Sequence, residues 1–539
     1  MNIFVGGAWP YANGSMHLGH LAGLLPGDVL ARYHRQKGDD VLYVSGSDCH
    51  GTPIVICAKE NGVTPQDITN KYHEEFSNCF KKLGFSYDIY NRTDDPYHKQ
   101  KVQEIVKKFY ENGYIVPKDV QQLYCETCGI ALADRFVEGV CPHCHEKARG
   151  DQCDHCGALL SPMDLEERKC KTCSSVPTVR TEKQLFFKLS AFEDRLKEYF
   201  KSRKNWRKNS LNMTERYLKE GLPDRALSRD LPWGIDVPIK GFENKKIYVW
   251  FDAVLGYLTA SMKLAEKENF DFEKYWSNDT KSYYVHGKDN IPFHSLILPA
   301  QLMAFSDYGL PTQLVSSEYL TLEGRKISTS QNWAVWVPDV IEKYNPDAIR
   351  YFLISNGPEK RDTDFSWREF VNSNNGELLG AYGNLINRTL VFAEKNFEGK
   401  VPDGKENTQI SGMLKEIFKK SASLIELAEF REALELIFNG IRHMNKYFDE
   451  EQPWITVKND DKSACADTIY NCMNAIKSFA VLMKPFTPFS SEKVLDWFGA
   501  SDKWEYEKIK PNEALKKSEI LFERLDKKVI DEELSKMGK

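Results

Sequence analysis

The sequence predicts an α/β protein whose parallel sheet is wrapped by helices, interrupted by a cysteine-rich insert and followed by a helical bundle. Three observations carry this expectation. Over the first 116 residues, short apolar runs (Phe4–Gly7, Val41–Val44) alternate with helix-periodic stretches (Leu18–Gln36, Pro65–Leu83, Lys99–Asn112). Eight cysteines then fall within 49 residues as four Cys-x-x-Cys pairs. From about residue 370 onward, strand patterns give way to long amphipathic runs such as Ser411–Leu427 and Arg431–Asp449.

Asn2–Ala8 is short, apolar and glycine-containing, as a buried parallel strand is, and it runs into Pro10–His20, read PYANGSMHLGH. His17 and His20 stand at a helix start, where backbone N–H groups and the helix dipole attract an anion. Two histidines three apart share one face there, and the missing side chain of Gly19 admits a phosphate close to the backbone. Asp48, in VSGSDCHGTP, follows the second strand, where ligands of open α/β sheets bind. Its carboxylate can receive an amino group or cap a helix beginning near Pro53, and the two roles can coexist.

Residues 117–237 break the alternation. Cys125 and Cys128, Cys141 and Cys144, Cys153 and Cys156, and Cys170 and Cys173 have the spacing of metal knuckles in a reducing compartment. Two closed four-thiolate zinc sites would be structural. Sequential pairing is sterically open; the expected arrangement is nested, with Cys141, Cys144, Cys153 and Cys156 inside and Cys125, Cys128, Cys170 and Cys173 outside. A zinc deaminase with His73 and Glu75 is disfavoured, because that chemistry wants proline directly before Cys-x-x-Cys. Arg195–Lys208 carries seven basic residues against Glu198 alone, as an RNA-tracking face or a solvated helix surface would.

Residues 238–325 return to strands (Lys246–Phe251, Ser282–His286) and helices (Ala253–Lys267, Asn290–Phe305), so the sheet is split by the insert. Trp250, Tyr257 and His294 would wall an apolar slot whose aromatic edges suit a thioether. Leu314–Leu322 reads as a strand with a turn, followed by the loop GRKISTS at Gly324–Ser330, whose glycine permits movement and whose cations can reach phosphates.

With 539 residues the chain suits three or four domains, and 41% hydrophobic with 28% charged residues is ordinary for a globular protein. It has no apolar run long enough to span a membrane, and its start lacks the basic segment and apolar core of a secretory signal, so a soluble, cytoplasmic protein is expected. A net charge of −5 requires that any nucleic-acid contact be made by local basic patches.

Taken together and in order, PYANGSMHLGH, the paired cysteines and GRKISTS resemble the class I aminoacyl-tRNA synthetases, and within them the methionyl-tRNA synthetase family, from Phe4 to about Trp454. The resemblance implies a Rossmann-like catalytic domain in two halves (1–116 and 238–325), a zinc-knuckle insertion (117–237), a flexible-loop region (326–370) and an α-helical anticodon-binding domain (371–539). It implies activation of L-methionine by ATP with Mg2+, and transfer to tRNA(Met). The amino-acid pocket would comprise Ala8, Trp9, Tyr11, Asp48, Trp250, Ala253, Tyr257 and His294. ATP would meet His17, Gly19, His20, Gly287, Asp289, Arg325, Lys326, Ser328 and Thr329, with His17, His20 and Lys326 acting in catalysis. Asn384, Arg388 and Trp454 would read the anticodon. The chain departs from the family pattern in three places: Thr329 stands where the loop's second lysine belongs, Val254 where some relatives have proline, and Asn290 where some have an apolar residue. Arg325 or Lys326 is expected to supply the missing charge. No appended OB-fold is seen, and a monomer is expected.

Overall fold

A computed structural model of the chain describes residues 1–132, 136–150, 153, 155–156, 160–459 and 461–538. Five parallel strands, β1 (Asn2–Gly7), β2 (Asp40–Ser47), β3 (Ile89–Arg92), β4 (Lys281–Gly287) and β5 (Gln313–Ser317), form one sheet in the order β5-β4-β1-β2-β3. Phe4 of β1 lies opposite Leu42 of β2 on one side and Ser282 of β4 on the other. Alternation along β1 sends Ile3 and Val5 into a core shared with helix α1 (Leu18–Lys37), and Phe4 into a second core with Leu255 and Tyr257. Both faces are covered, which is why these strands read as unbroken apolar runs. The strand order reverses between β1 and β4, so a ligand crevice opens at their carboxyl ends.

Helices α2 (Thr52–Asn61), α3 (Pro65–Lys82) and α4 (Pro96–Glu111) follow the first strands. The cap of α2 is Gly51, not Asp48, so the capping role considered for that carboxylate is not used. Between α4 and α5 (Val249–Glu268), strands Ile115–Cys125 and Thr178–Phe187 form an antiparallel ladder of ten residue pairs. Its base packs on Phe109 and Phe251, and its far end, roughly 30 Å away at about 3.4 Å per residue, carries the cysteines. Around them a small separate core forms from Leu123, Val137, Leu165 and the buried thiols.

Three expectations on elements need correction. Lys246–Phe251 is a strand only at Lys246–Ile247, and α5 begins at Val249, because the amphipathic spacing of Phe251, Leu255 and Leu258 outweighs the local β-propensity of YVWF. Asn290–Phe305 is not one regular helix: a π turn at Phe293–Ile297 precedes a helix at Leu298–Phe305. Arg195–Lys208 is not one helical face, because the helix Glu193–Lys201 ends within it and Arg207 turns inward, its side chain only 10% exposed and 3.9 Å from Glu359.

Beyond the sheet, Leu320–Leu322 pairs with Arg325–Lys326 and with Thr363–Phe365. Helices α6 (Asn384–Asn396), α7 (Thr408–Glu426) and α8 (Phe430–Glu451) then lead a bundle whose core is continuous with the α1 face of the sheet. Helical structure does not run to the end: residues 499–527 are almost entirely irregular chain before a short helix at Lys528–Leu534. Among the described residues, no helix is long and apolar enough to cross a membrane.

Candidate active site

The crevice at the switch point is a cleft of about 530 Å³. Ala8 and Trp9 after β1, His17, Gly19 and His20 at the start of α1, Gly287 and Asp289 after β4, and Lys326 all line it. His17 occupies the extended position before the first turn of α1, and its backbone N–H donates to His20 Nδ1 at 3.2 Å. That bond leaves the proton of a neutral His20 on Nε2. The rings stack at 3.9 Å, and a Cβ on Gly19 would come within 3.0 Å of His17, so only glycine fits beneath the pair. Burial lowers the His20 pKa to about 4; burial and the neighbouring His20 lower that of His17 to about 2. Both imidazoles are therefore neutral near pH 7 and act as dipolar donors rather than cations.

Next to the imidazoles is an aromatic slot. Trp9 is clamped between Gly46 and Gly256, where an added Cβ would lie 2.4 and 2.8 Å from its ring, and it meets Tyr257 edge-on at 6.2 Å. Trp250 donates to the Tyr11 hydroxyl and packs edge-on against Phe293 at 4.2 Å. His294 Nδ1 lies 2.9 Å from the Asn290 carbonyl, which makes it the donor there, so Nε2 accepts the Tyr257 hydroxyl at 2.9 Å. Asn290 thus contributes its backbone, which any residue at that position supplies. Asp48 is joined to Tyr11 by a β-bridge and is buried; burial and the nearby Asp252 push its carboxyl well above the usual range. Ala253 lies half-buried at the start of the second turn of α5.

The loop Gly324–Ser330 lies across this cleft, with Ile327 within 3.4 Å of a Cβ placed on Gly19. Its far side is pinned: Ser328 and Trp333 exchange two backbone bonds of 2.9 Å, and Val335 and Val337 pair with the segment around His17. Lys326 lines the cleft, whereas the Arg325 guanidinium stacks over Trp333 at 4.1 Å and, like Ser328 and Thr329, is not part of the lining. Asp289 accepts a hydrogen bond from the Tyr319 hydroxyl.

Far from the cleft, Asn384, Arg388 and Trp454 gather on one face of the bundle. Asn384 reaches Asn445 at 3.3 Å; Arg388 bonds Asp449 at 2.9 Å and lies 4.0 Å over Phe448, which in turn contacts Trp454. The indole is 38% exposed, which leaves it open to a stacking partner.

The cysteines form two groups, Cys125, Cys128, Cys170 and Cys173, and Cys141, Cys144, Cys153 and Cys156, with all sulfur atoms of each within 4.8 Å of one another. A tetrahedral ion at about 2.3 Å from each thiolate needs sulfurs about 3.8 Å apart, so both groups fit a metal, and the pairing is nested.

Some residues of the site were not singled out in the sequence. His50 and Asp252 adjoin Asp48, and Tyr319, Glu318 and Asp362 line the cleft. The signal for Tyr319 was its place just after a strand's carboxyl end; Asp252 lies between the slot residues Trp250 and Tyr257 in the stretch YVWFDAVLGY at 248–257.

The sequence matches a family described as tRNA synthetases class I (M) over residues 3–390, and the anticodon binding domain of methionyl tRNA ligase over residues 398–538. It is 58% identical to methionine–tRNA ligase 1 of Alkaliphilus oremlandii, over the whole of both chains. It is 54% identical to methionine–tRNA ligase of Bacillus cereus strain G9842, over all of this chain and 99% of the relative. A solved Mycobacterium tuberculosis methionyl-tRNA synthetase in complex with methionyl-adenylate is 25% identical, with a TM-score of 0.81 over 97% of this chain and 100% of that one. By these matches, spanning both the split sheet and the bundle, the chain belongs to the methionyl-tRNA synthetases of class I.

Proposed function

We propose that the chain activates L-methionine with Mg·ATP, forming methionyl-adenylate and pyrophosphate, and then transfers methionine to the 3′-terminal adenosine of tRNA(Met) for initiation and elongation. The observation that carries this reading is the cleft where paired neutral imidazoles, a helix start and a basic loop meet Trp9, whose ring packs edge-on against Tyr257 of the aromatic slot behind it; Tyr11, Asp48, Trp250, Ala253, Tyr257 and His294 lie outside the cleft lining itself. In this reading, Ala8, Trp9, Tyr11, Trp250, Ala253, Tyr257 and His294 enclose the thioether side chain and Asp48 receives the ammonium. The substrate carboxylate attacks the α-phosphorus in line. His17 and His20 donate to the phosphate oxygens, Gly19 lets the triphosphate approach the start of α1, and Gly287 and Asp289 hold the ribose. Lys326 supplies the cation at the triphosphate, with Ser328 and Thr329 as hydroxyl donors once the loop closes. Catalysis then rests on positioning and charge stabilisation, without a covalent enzyme intermediate.

In the same reading Asn384, Arg388 and Trp454 read the anticodon, and each four-cysteine group holds a structural zinc that orders the tip of the insertion. Residues 1–116 and 238–325 are the two halves of the catalytic domain, 117–237 the insertion, 326–370 the loop region and 371–539 the anticodon-binding domain. The test is pyrophosphate–ATP exchange across a panel of amino acids: exchange with methionine and with none of the other protein amino acids is expected, and exchange that ignores methionine overturns the reading.

A further inference from the structure

The carboxylate assigned above to the substrate ammonium does not stand alone. His50 is fully buried between Asp48 and Asp252. Its backbone N–H donates to Asp48 Oδ1 at 3.3 Å, and its ring Nδ1 lies 3.0 Å from Asp252 Oδ2. One residue thus bridges two buried carboxyl groups, one from the end of β2 and one from the first turn of α5, the two halves of the split sheet. His50 Nε2 and Asp252 Oδ1 are buried without a partner among the described residues. The other charged or titratable groups facing the cluster are Asp94, which Arg92 neutralises at 2.5 Å, together with Lys99, Lys246, His98 and Cys49. Lys246 is itself paired with Asp236.

Two carboxylates this close to one imidazole and shielded from water cannot both stay ionised without a cation beside them. Both carboxyls are accordingly pushed well above their ordinary range, chiefly by burial, while burial takes His50 down to about 3. Of the three groups, the carboxyls therefore hold a proton more tightly than the ring. Among the described residues no lysine or arginine forms an ion pair with Asp48 or Asp252, and the α-ammonium of an amino acid would supply one.

We propose that Asp48, His50 and Asp252 act as one buried acid that holds a single proton in the empty site and loses it to solvent when the amino-acid ammonium docks on Asp48. Asp252 and His50 are then positioning residues for the amino group. The step balances: the ligand enters as its zwitterion, one O–H bond of the cluster breaks, and the proton passes to bulk buffer. The inference rests on the proposed function for the choice of ligand.

Calorimetric titration of L-methionine into the full chain at about pH 7, in phosphate and in Tris, reads the proton count from the difference in heat. Release of roughly one proton per methionine bound is expected. The same side chain without its amino group, 4-(methylthio)butanoate, is expected to release none. Asp252→Asn removes the second carboxyl, whose repulsion adds to burial in holding the proton on Asp48, so release falls and the fall in methionine KM with rising pH flattens. Methionine binding without buffer-dependent heat, equal release with both ligands, or wild-type release from Asp252→Asn each overturns the inference and leaves the proposed function standing. Should Asp252→Asn not fold, the comparison of the two ligands on the wild-type chain decides alone. Failure of the wild-type chain to bind methionine at all would sink both.

Discussion

At the scale of single residues, the imidazole pair is the feature most directly tied to rate. A preorganised donor aimed at developing phosphate charge is worth roughly 100- to 1,000-fold, so His20→Ala is expected to lower adenylate formation by that factor with methionine and ATP affinities little changed, as read by pyrophosphate exchange. Because His17 and His20 are held neutral, with pKa values of about 2 and about 4, the rate at saturating methionine should stay level through pH 6.5, where an ordinary histidine titrates, and drop only toward pH 4. Stability follows a different course. On unfolding, these imidazoles regain their ordinary proton affinity, so between pH 6.5 and about 4 the unfolded chain binds more protons than the folded one. The unfolding free energy should be full above pH 6.5 and decline as pH falls below it, which urea melts at successive pH values will show. His17, Gly19 and His20 were legible in the sequence because their chemistry is local, four residues at a strand-to-helix junction. His50 and Asp252 were not, since 202 residues separate them and only the closing of the split sheet makes them one cluster.

Among the elements, the loop Gly324–Ser330 shows where a sequence reading stops. Composition offered two cations for one vacancy and could not choose. The hairpin decides between them: successive residues of Arg325–Lys326 point to opposite sides, so with Arg325 stacked on Trp333 it is Lys326 that faces the cleft. Lys326→Ala should therefore lower pyrophosphate exchange by about 100-fold or more, and Arg325→Ala by only a few-fold. Equal losses in the two variants would mean the loop turns over when it closes. Other elements were legible to different degrees for physical reasons. β1 and α1 were readable because a fully buried strand and a helix with a broad apolar stripe leave strong periodic signals. The stretch Tyr248–Phe251 was misread because four β-prone side chains in a row mimic a strand, and only the burial of Phe251, Leu255 and Leu258 on one helical face shows otherwise. The nested cysteine groups depend on the ladder between Ile115–Cys125 and Thr178–Phe187, which brings the first and last pairs together and is a long-range pairing that spacing alone does not specify.

On the scale of the whole molecule, the bundle must sense an anticodon while the sheet does the chemistry, so the join between them matters. Arg350 is that join: fully buried, it donates to the carbonyls of Leu83, Pro485 and Phe486 and pairs with Asp28 of α1 at 2.7 Å. Removing it leaves Asp28 with Arg32 at 2.9 Å as its one remaining cation among the described residues and three buried carbonyls without their donor, so Arg350→Ala is expected to cost about 3–5 kcal/mol in urea unfolding. Glu426, at the end of α7, reinforces the same seam through Tyr33 at 2.9 Å and Lys37 at 2.7 Å. A change confined to the far face of the bundle touches neither this seam nor the cleft lining, so its effect is expected on bound tRNA. Trp454 is such a position: its indole is exposed and its ring contact is with Phe448, itself braced by Arg388. Loss of one base–aromatic stack is worth about 1–3 kcal/mol, or roughly 5- to 150-fold in affinity. Trp454→Ala should therefore raise the KM for tRNA(Met) by a factor in that range and leave methionine-dependent pyrophosphate exchange within about twofold of wild type. A parallel loss in exchange would show that Trp454 supports the fold of the bundle, whereas an unchanged tRNA KM would place the anticodon on another face.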